Sequence, residues 1–235
     1  MIKRTFLFSW ISALLLCIGP VYAQNISIPS APSYHDASLD TFVTDLRHII
    51  ATRDTGRLMS LIDPHIKTSF GINDTDWRRG FHTTWQPGSL RSAIWGTLTR
   101  LLDYGPAIDS GGTVWFPYLF LIDLSDADAA NVYQVPGTDV RIRQRPDASA
   151  PIVGTVSHAL VSYRADRTII PICTNPMHSH HYSKTFNRDW VPVMTTDHKV
   201  KGFIYWQYVY HPFEYRMAVE RKAGHWYITT LVNGD

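Results

Sequence analysis

Apolar side chains recur at a helical spacing close to the start of the chain. Between residues 39 and 50 they are Leu39, Phe42, Val43, Leu46, Ile49 and Ile50. This spacing places them on one face of a helix, and Ser38 is its expected N-cap. Shorter apolar stripes predict two more helices, over about 55–62 and 89–103. Asp63-Pro64 ends the first of these because a residue before proline avoids the helical conformation, and Gly105-Pro106 ends the second.

Residues 113–122 are rich in aromatic and branched side chains, which predicts a strand with Pro117 at an edge or a bulge. A segment without periodicity, residues 123–131, looks like a linker. Short branched runs then follow one another, at Val132–Val135, Val140–Arg143, Ile152–Val156, Val161–Ala165, Thr168–Ile172, Trp190–Met194 and Lys201–Tyr205. Strands at this spacing predict a small all-β barrel or sandwich.

The chain ends in a predicted hairpin. Its strands, Phe213–Arg221 and His225–Val232, flank a three-residue loop, Lys222-Ala223-Gly224. A two-stranded ribbon alone is marginally stable in water, and the predicted helices near the amino end have only one predicted strand, 113–122, beside them. We therefore predict an α+β fold: residues 24–122 and 211–235 form a split α+β domain, and an all-β module over 132–210 interrupts it.

The first 23 residues have the pattern of a signal peptide: a basic start, an apolar run and Val21-Tyr22-Ala23 before the expected cleavage site. Leu16 is not small, which disfavours lipidation of Cys17. The apolar run is too short for a comfortable membrane span, so we expect no stable span after cleavage behind Ala23. Export of the remaining chain is the expected outcome.

Charge and composition narrow the function classes. Removing residues 1–23 takes away two of the 22 Lys and Arg residues, and the rest balance the 20 acidic residues. A chain without net charge is not a general nucleic-acid binder. Its apolar fraction of 45% and aromatic fraction of 13% exclude a disordered chain. After cleavage Cys173 is the one remaining cysteine, so no internal disulfide can form.

One segment combines several metal-ligating side chains within nine residues: Cys173, Met177, His178, His180 and His181. A thiolate and imidazoles suit zinc or copper. The spacing matches no standard zinc pattern, and a polar, His-rich loop is the simpler interpretation. Cys173 also lacks the sequence context of a catalytic thiol, and no serine-hydrolase, phosphate-loop or zinc-protease motif is present.

Residues 132–210 resemble the bacterial SH3-type (SH3b) domain. The resemblance rests on Val140-Arg141-Ile142-Arg143-Gln144-Arg145-Pro146, on Ile152-Val153-Gly154-Thr155-Val156, on Trp190-Val191-Pro192-Val193, and on Gly202-Phe203-Ile204 followed by Tyr208-Val209. Arg141 stands where the family often has Asn. The resemblance implies a small SH3-like barrel with a peptide groove lined by aromatic residues. The positions it assigns to ligand binding are Tyr163, Trp190, Tyr205 and Tyr208.

The split domain is similar, more weakly, to the cystatin-like and nuclear-transport-factor-2-like group. Asp63-Pro64 and the ending Gly224-His225-Trp226-Tyr227-Ile228 carry this similarity. The group's cone-shaped fold implies a cavity in which a buried side chain acts on a small molecule. The polar residues in apolar surroundings that could serve there are Asp63, Tyr104, Tyr118 and His225.

Aromatic side chains also gather in two stretches that suggest binding surfaces. Residues 71–88 lack clear periodicity and contain Trp77, Arg78, Arg79, Phe81 and Trp85. The second stretch contains Tyr205, Trp206, Tyr208, Tyr210, His211 and Phe213. Many of these side chains must belong to the core.

Taken whole, the chain resembles exported proteins of Gram-negative bacteria that contain an SH3-type domain, which implies the periplasm. The favoured hypothesis is a non-enzymatic binding protein, without a cofactor, for a peptide, a peptidoglycan fragment or an envelope protein. One alternative is a zinc or copper protein that uses the Cys173 segment. The other is a small-molecule enzyme in the α+β cone.

Overall fold

The computed structural model describes residues 26–69, 77–124, 127–163 and 189–234. Within them lie the helices α1 (Ala37–Thr52), α2 (Thr55–Leu61), α3 (Trp77–Trp85) and α4 (Ile94–Asp103). The strands are β1 (Ile62–Lys67), β2 (Ala107–Ile108), β3 (Val114–Phe116), β4 (Val132–Val135), β5 (Val140–Arg143), β6 (Ile152–Val156), β7 (Ala159–Tyr163), β8 (Trp190–Thr195), β9 (Lys201–Tyr205), β10 (Arg216–Lys222) and β11 (His225–Val232). Four helices and two mostly antiparallel sheets confirm the predicted α+β class.

The first sheet has the order β1-β11-β10-β3-β2, and only β1 and β11 run parallel. The terminal hairpin thus pairs on both sides with strands from the first half of the chain. Ile62 lies opposite Ile228, and Phe116 lies opposite Met217. The helices bury their apolar stripes with the side chains of this sheet, in a cluster that includes Leu46, Ile49, Leu58, Ile94, Leu98, Met217, Val219 and Ile228.

Helix α1 begins at Ala37, one residue before the expected N-cap Ser38. Asp36 caps it instead of Ser38, because its Oδ1 accepts hydrogen bonds from the backbone N–H groups of Ser38 (2.7 Å) and Leu39 (3.1 Å). The Ser38 hydroxyl lies inside the first turn and accepts a hydrogen bond from the Trp226 indole at 3.0 Å. The N-cap prediction was therefore wrong by two positions.

Three elements that belong to the first sheet or pack on it were not predicted: α3, β1 and the two-residue strand β2. The stretch 71–88, expected to be a loop, contains α3, whose Phe81 and Trp85 are 0% and 2% exposed. Trp77, Phe81 and Trp85 are four residues apart, which is the helical stripe that the sequence analysis overlooked. Strand β1 follows α2 directly and contains Pro64. Proline is accommodated there because β1 is an edge strand.

Other elements are shorter than expected. Helix α4 begins at Ile94, since residues 86–92 form successive turns. The strand expected over 113–122 ends at Phe116, before the cis Phe116–Pro117 peptide bond and a 3-10 turn over Tyr118–Leu121. The terminal hairpin has a two-residue loop, because Lys222 and His225 are themselves paired across it.

The second sheet is antiparallel, with the order β4-β7-β8-β9-β5-β6. Its core side chains are Val135, Val140, Ile142, Val156, Ala159, Val161, Val193, Val200, Ile204 and Val209. Between the residues that the structure describes, no pairing joins β4 to β6, so a closed barrel is not observed. The strand expected at 161–165 runs from Ala159 to Tyr163, and the one expected at 168–172 lies outside the described residues.

A third apolar cluster joins the two sheets. It combines Ala107, Tyr118 and Leu119 with Leu160 and Tyr210, and it also contains Ile28. The segment before α1 lies beside β7, because Ile28 donates to the carbonyl of His158 and Leu160 donates to that of Ile26, both at 2.8 Å. Within the described ranges, no helix has the length and apolar character needed to cross a membrane.

Candidate binding groove

An open groove of about 890 Å³ lies on the second sheet, and we call it the aromatic groove. Trp190, Tyr205 and Tyr208 line it, together with Asp139, Arg141, Arg143 and the loop at residues 146–148. The structure therefore brings together three of the four aromatic residues that the SH3-type resemblance assigns to ligand binding. A volume of this size is typical of sites for small ligands and short peptide segments.

Strand pairing positions the aromatic rings. Trp190 begins β8 and lies directly opposite Tyr205, the last residue of β9. Their rings meet edge to face with centroids 5.4 Å apart, a favourable aromatic geometry. Tyr208 follows at the end of a 3-10 turn over Trp206–Tyr208, and its ring centroid is 6.3 Å from that of Tyr205. Tyr208 is 48% exposed, so its ring is available to a ligand.

Strand β5 supplies the charged wall of the groove through simple alternation. Val140 and Ile142 are 7% and 0% exposed and belong to the core, so Arg141 and Arg143 point to the other face. Asp139 precedes the strand and lines the same groove. Among the described residues, neither the Arg141 guanidinium nor the Asp139 carboxylate has a hydrogen bond or an ion pair, and both residues are exposed.

The other two charged groups at the groove are held by neighbouring residues. Arg143 Nη1 donates to the carbonyl of Ala150 at 2.7 Å. The carboxylate of Asp147 accepts hydrogen bonds from the Ser149 backbone N–H (2.8 Å) and hydroxyl (2.9 Å). These hydrogen bonds lower the pKa of Asp147, so its charge persists in mildly acidic solution. The two bonds also fix the loop that lines the groove at residues 146–148.

Tyr163, the fourth predicted ligand-binding residue, is not among the residues that line the groove. It is the last residue of β7, lies opposite Val193 and packs against Tyr133 with ring centroids 6.3 Å apart. The strand pattern alone could not exclude Tyr163 from the groove. Which residues lie beside the end of a strand depends on the strands with which it pairs.

The proposed metal ligands Cys173, His178, His180 and His181 all lie outside the described residues. Among the residues that the structure describes, no group of three His, Cys, Asp or Glu side chains could hold a metal ion. The metal-binding alternative stays a prediction from the sequence.

The polar candidates for a catalytic cone have other partners. Asp63 forms an ion pair with Lys222 (2.6 Å), and the hydroxyl of Tyr118 donates to the carbonyl of Pro29 at 3.1 Å. The Tyr104 hydroxyl donates to the carbonyl of Gln207 at 2.9 Å. His225 is exposed at the hairpin. None of these contacts favours a shared cavity for the four residues.

Several aromatic residues considered as surface anchors are core residues. Phe81 and Trp85 pack among the helices, while Tyr210 (1% exposed) and His211 (7% exposed) lie near the junction of the two sheets. Conversely, Arg141 and Asp139 were not predicted as site residues. The alternation in Val140-Arg141-Ile142-Arg143 was the available signal, since it separates a core face from a charged face.

Compared with protein-family models, with curated proteins and with solved structures, the chain has no significant match. The functional argument therefore depends on the groove itself.

Proposed function

We propose that this protein is a non-enzymatic binding protein of the periplasm and that its aromatic groove takes a short cell-wall peptide. The observation that carries the proposal is the convergence of Trp190, Tyr205 and Tyr208, from two strands and a turn, on one open groove. Aromatic rings with exposed faces are typical contacts for extended peptides. The SH3-type resemblance points to the same surface, and an SH3-like barrel is part of the proposal.

The charges at the groove favour a peptide that carries both an amino group and a carboxylate. Arg141 and Asp139 offer one unpaired charge of each sign within the described residues, on either side of Val140. A guanidinium can bind a carboxylate with two parallel hydrogen bonds, and Asp139 can accept from an ammonium group. The stem peptides of peptidoglycan have both groups. The signal-peptide pattern predicts export, which supports the periplasm, where peptidoglycan lies, as the compartment of this protein.

Co-sedimentation with purified peptidoglycan tests the proposal. We expect the purified protein to pellet with peptidoglycan and Tyr208→Ala to lower the apparent affinity about tenfold, which is the usual cost of removing a central aromatic contact. Tyr208 is 48% exposed, so its loss leaves the fold intact. Tyr227→Ala is the matched control, since Tyr227 is a partly exposed tyrosine of β11 in the other sheet.

Two outcomes would contradict the proposal. The first is a wild-type protein that stays in the supernatant at every peptidoglycan concentration. The second is equal pelleting of Tyr208→Ala and wild type. Retention by envelope proteins in the absence of peptidoglycan would show that the groove serves a protein partner instead.

A further inference from the structure

We propose that Arg100 and Tyr104, two residues at the carboxyl end of α4 and outside the groove, position the aromatic side of the groove. The inference rests on the proposed function, because it assigns the residues that set the affinity of that site. It starts from the 3-10 turn over Trp206–Tyr208, which carries Tyr208 into the groove.

The carbonyl groups of this turn are held by side chains from α4 and the residue that follows it. Arg100 Nη1 donates to the carbonyl of Trp206 at 3.3 Å, and Nη2 donates to that of Val209. The Tyr104 hydroxyl lies within hydrogen-bond distance of the carbonyls of Gln207 (2.9 Å) and Val209 (3.2 Å), which share its one hydrogen. The Trp206 carbonyl also accepts the turn's own hydrogen bond from the Val209 backbone N–H at 3.2 Å. The carbonyls of Gln207 and Val209 lie at the end of the short helix, where carbonyls lack intrahelical donors, so side-chain donors add to what holds the turn in place.

Further contacts fix the Arg100 side chain itself. Its guanidinium lies over the rings of Trp206 (4.4 Å) and Tyr104 (5.2 Å), and Nη2 forms an ion pair with Glu214 at 3.0 Å. The side chains of Arg100 and Glu214 are only 14% and 25% exposed. Partial burial strengthens such contacts relative to exposed ion pairs.

The turn has two faces with different roles. Trp206 lies under Arg100, while Tyr208 lines the groove and is 6.3 Å from Tyr205. A shift of the turn therefore moves Tyr208 relative to Tyr205 and changes the spacing that a peptide meets. Arg100 and Tyr104 touch the turn and not the groove, so they act as positioning residues.

Tyr104→Phe is the sharpest variant. It removes the hydroxyl that Gln207 and Val209 share as a donor and keeps the ring that packs edge to face against Tyr210. Tyr118→Phe is the matched control, because it removes one hydroxyl-to-carbonyl bond near the same junction, to Pro29, away from the turn. The probe is the soluble fragment mixture that a muramidase releases from purified peptidoglycan.

We expect Tyr104→Phe to weaken binding of these fragments about fivefold and to speed amide exchange at residues 206–209, with Tyr118→Phe changing neither. If the wild type binds the fragments and Tyr104→Phe binds them with the same affinity, the positioning role alone is overturned, whatever the amide exchange rates. Equal weakening by both variants would also overturn it, since the effect would then come from general stability. Absence of wild-type binding would overturn the proposed function, and the positioning role with it.

Discussion

At the scale of single residues, Asp63 shows how a buried charge is accommodated. Its side chain is only 5% exposed, and its carboxylate accepts hydrogen bonds from Lys222 Nζ (2.6 Å) and from the His65 backbone N–H (2.7 Å). Burial opposes its ionisation, but these two hydrogen bonds outweigh burial and lower the pKa of Asp63. The pair joins β1 to the end of β10, across β11.

The Asp63–Lys222 pair should make stability depend on acid. Because the folded-state pKa lies below the unfolded value of about 4, the pair contributes fully above that pH and its contribution is lost as pH falls through the folded pKa. We expect Asp63→Asn to lower the free energy of unfolding by about 1–2 kcal/mol at neutral pH, a modest cost because Lys222 is 47% exposed. Urea unfolding at neutral and acidic pH measures both effects.

Lys222→Met provides the control for this interpretation. Without the ammonium group, burial of Asp63 disfavours its charge, so stability should fall less between about pH 5 and pH 3 than in the wild type. An equally steep fall in Lys222→Met would show that other carboxylates cause the acid sensitivity.

At the scale of elements, the turn of the terminal hairpin shows a conflict between sequence and conformation. Ala223 and Gly224 both have positive φ, 48° and 86°. Two positive φ values suit the type I′ turn of two-residue hairpins, which favours Asn-Gly over Ala-Gly. Ala223 therefore stores backbone strain at the tip of the longest strands of the described fold.

Relief of this strain is a direct prediction. Ala223→Asn should raise the free energy of unfolding by about 0.5–1 kcal/mol, because Asn adopts the left-handed conformation more readily. Gly224→Ala should lower it by about 1 kcal/mol. A Cβ at Gly224 would meet no atom within 4 Å, so this cost is purely conformational. Thermal unfolding of both variants measures these two changes in stability. If both substitutions changed the free energy of unfolding in the same direction, the type I′ turn assignment would be contradicted.

At the scale of the whole molecule, the third apolar cluster, which joins the two sheets, makes the stability of each sheet depend on the other. Leu119, 1% exposed, packs there with Leu160 and Tyr210 from the second sheet and its flank. The carbonyl of Leu119 also accepts a hydrogen bond at 3.0 Å from Nε2 of the fully buried Gln134. We therefore expect the two sheets and the elements packed on them to unfold together.

Leu119→Ala tests this dependence. We expect it to lower the free energy of unfolding by about 2–4 kcal/mol, through lost burial and the cavity that it leaves. Leu90→Ala is the same substitution at a leucine that is 87% exposed, and it should change stability by less than about 0.5 kcal/mol. Circular dichroism and tryptophan fluorescence should give coincident unfolding curves for the wild type. Separate transitions would show that the junction does not couple the sheets.

The elements predicted correctly are those with a strong local pattern. The stripe from Leu39 to Ile50 lies within α1, and the branched runs at 132–135, 140–143, 152–156 and 201–205 match observed strands. Strand β1 was missed because Pro64 and a polar composition hide it, and it forms only by pairing with β11. The N-cap was misplaced because Asp36 and Ser38 are both good caps, and only the backbone path distinguishes them.

The candidate site was predictable in part. The family resemblance named Trp190, Tyr205 and Tyr208, which the structure places together, and also Tyr163, which lies elsewhere. The charged wall was missed, because the resemblance supplied aromatic positions and no reason to place Arg141 beside them. That placement follows from β5 lying next to β9, a pairing between segments far apart in the chain.

Local order along the chain was therefore enough for the α+β class, most helices and most strands, because periodicity depends on side chains only a few positions apart. The groove, the contact between Arg100 and the 206–208 turn, and the junction of the two sheets were decided by tertiary structure. They join segments separated by tens of residues, and burial and strand register select such partners from many that the same patterns would allow.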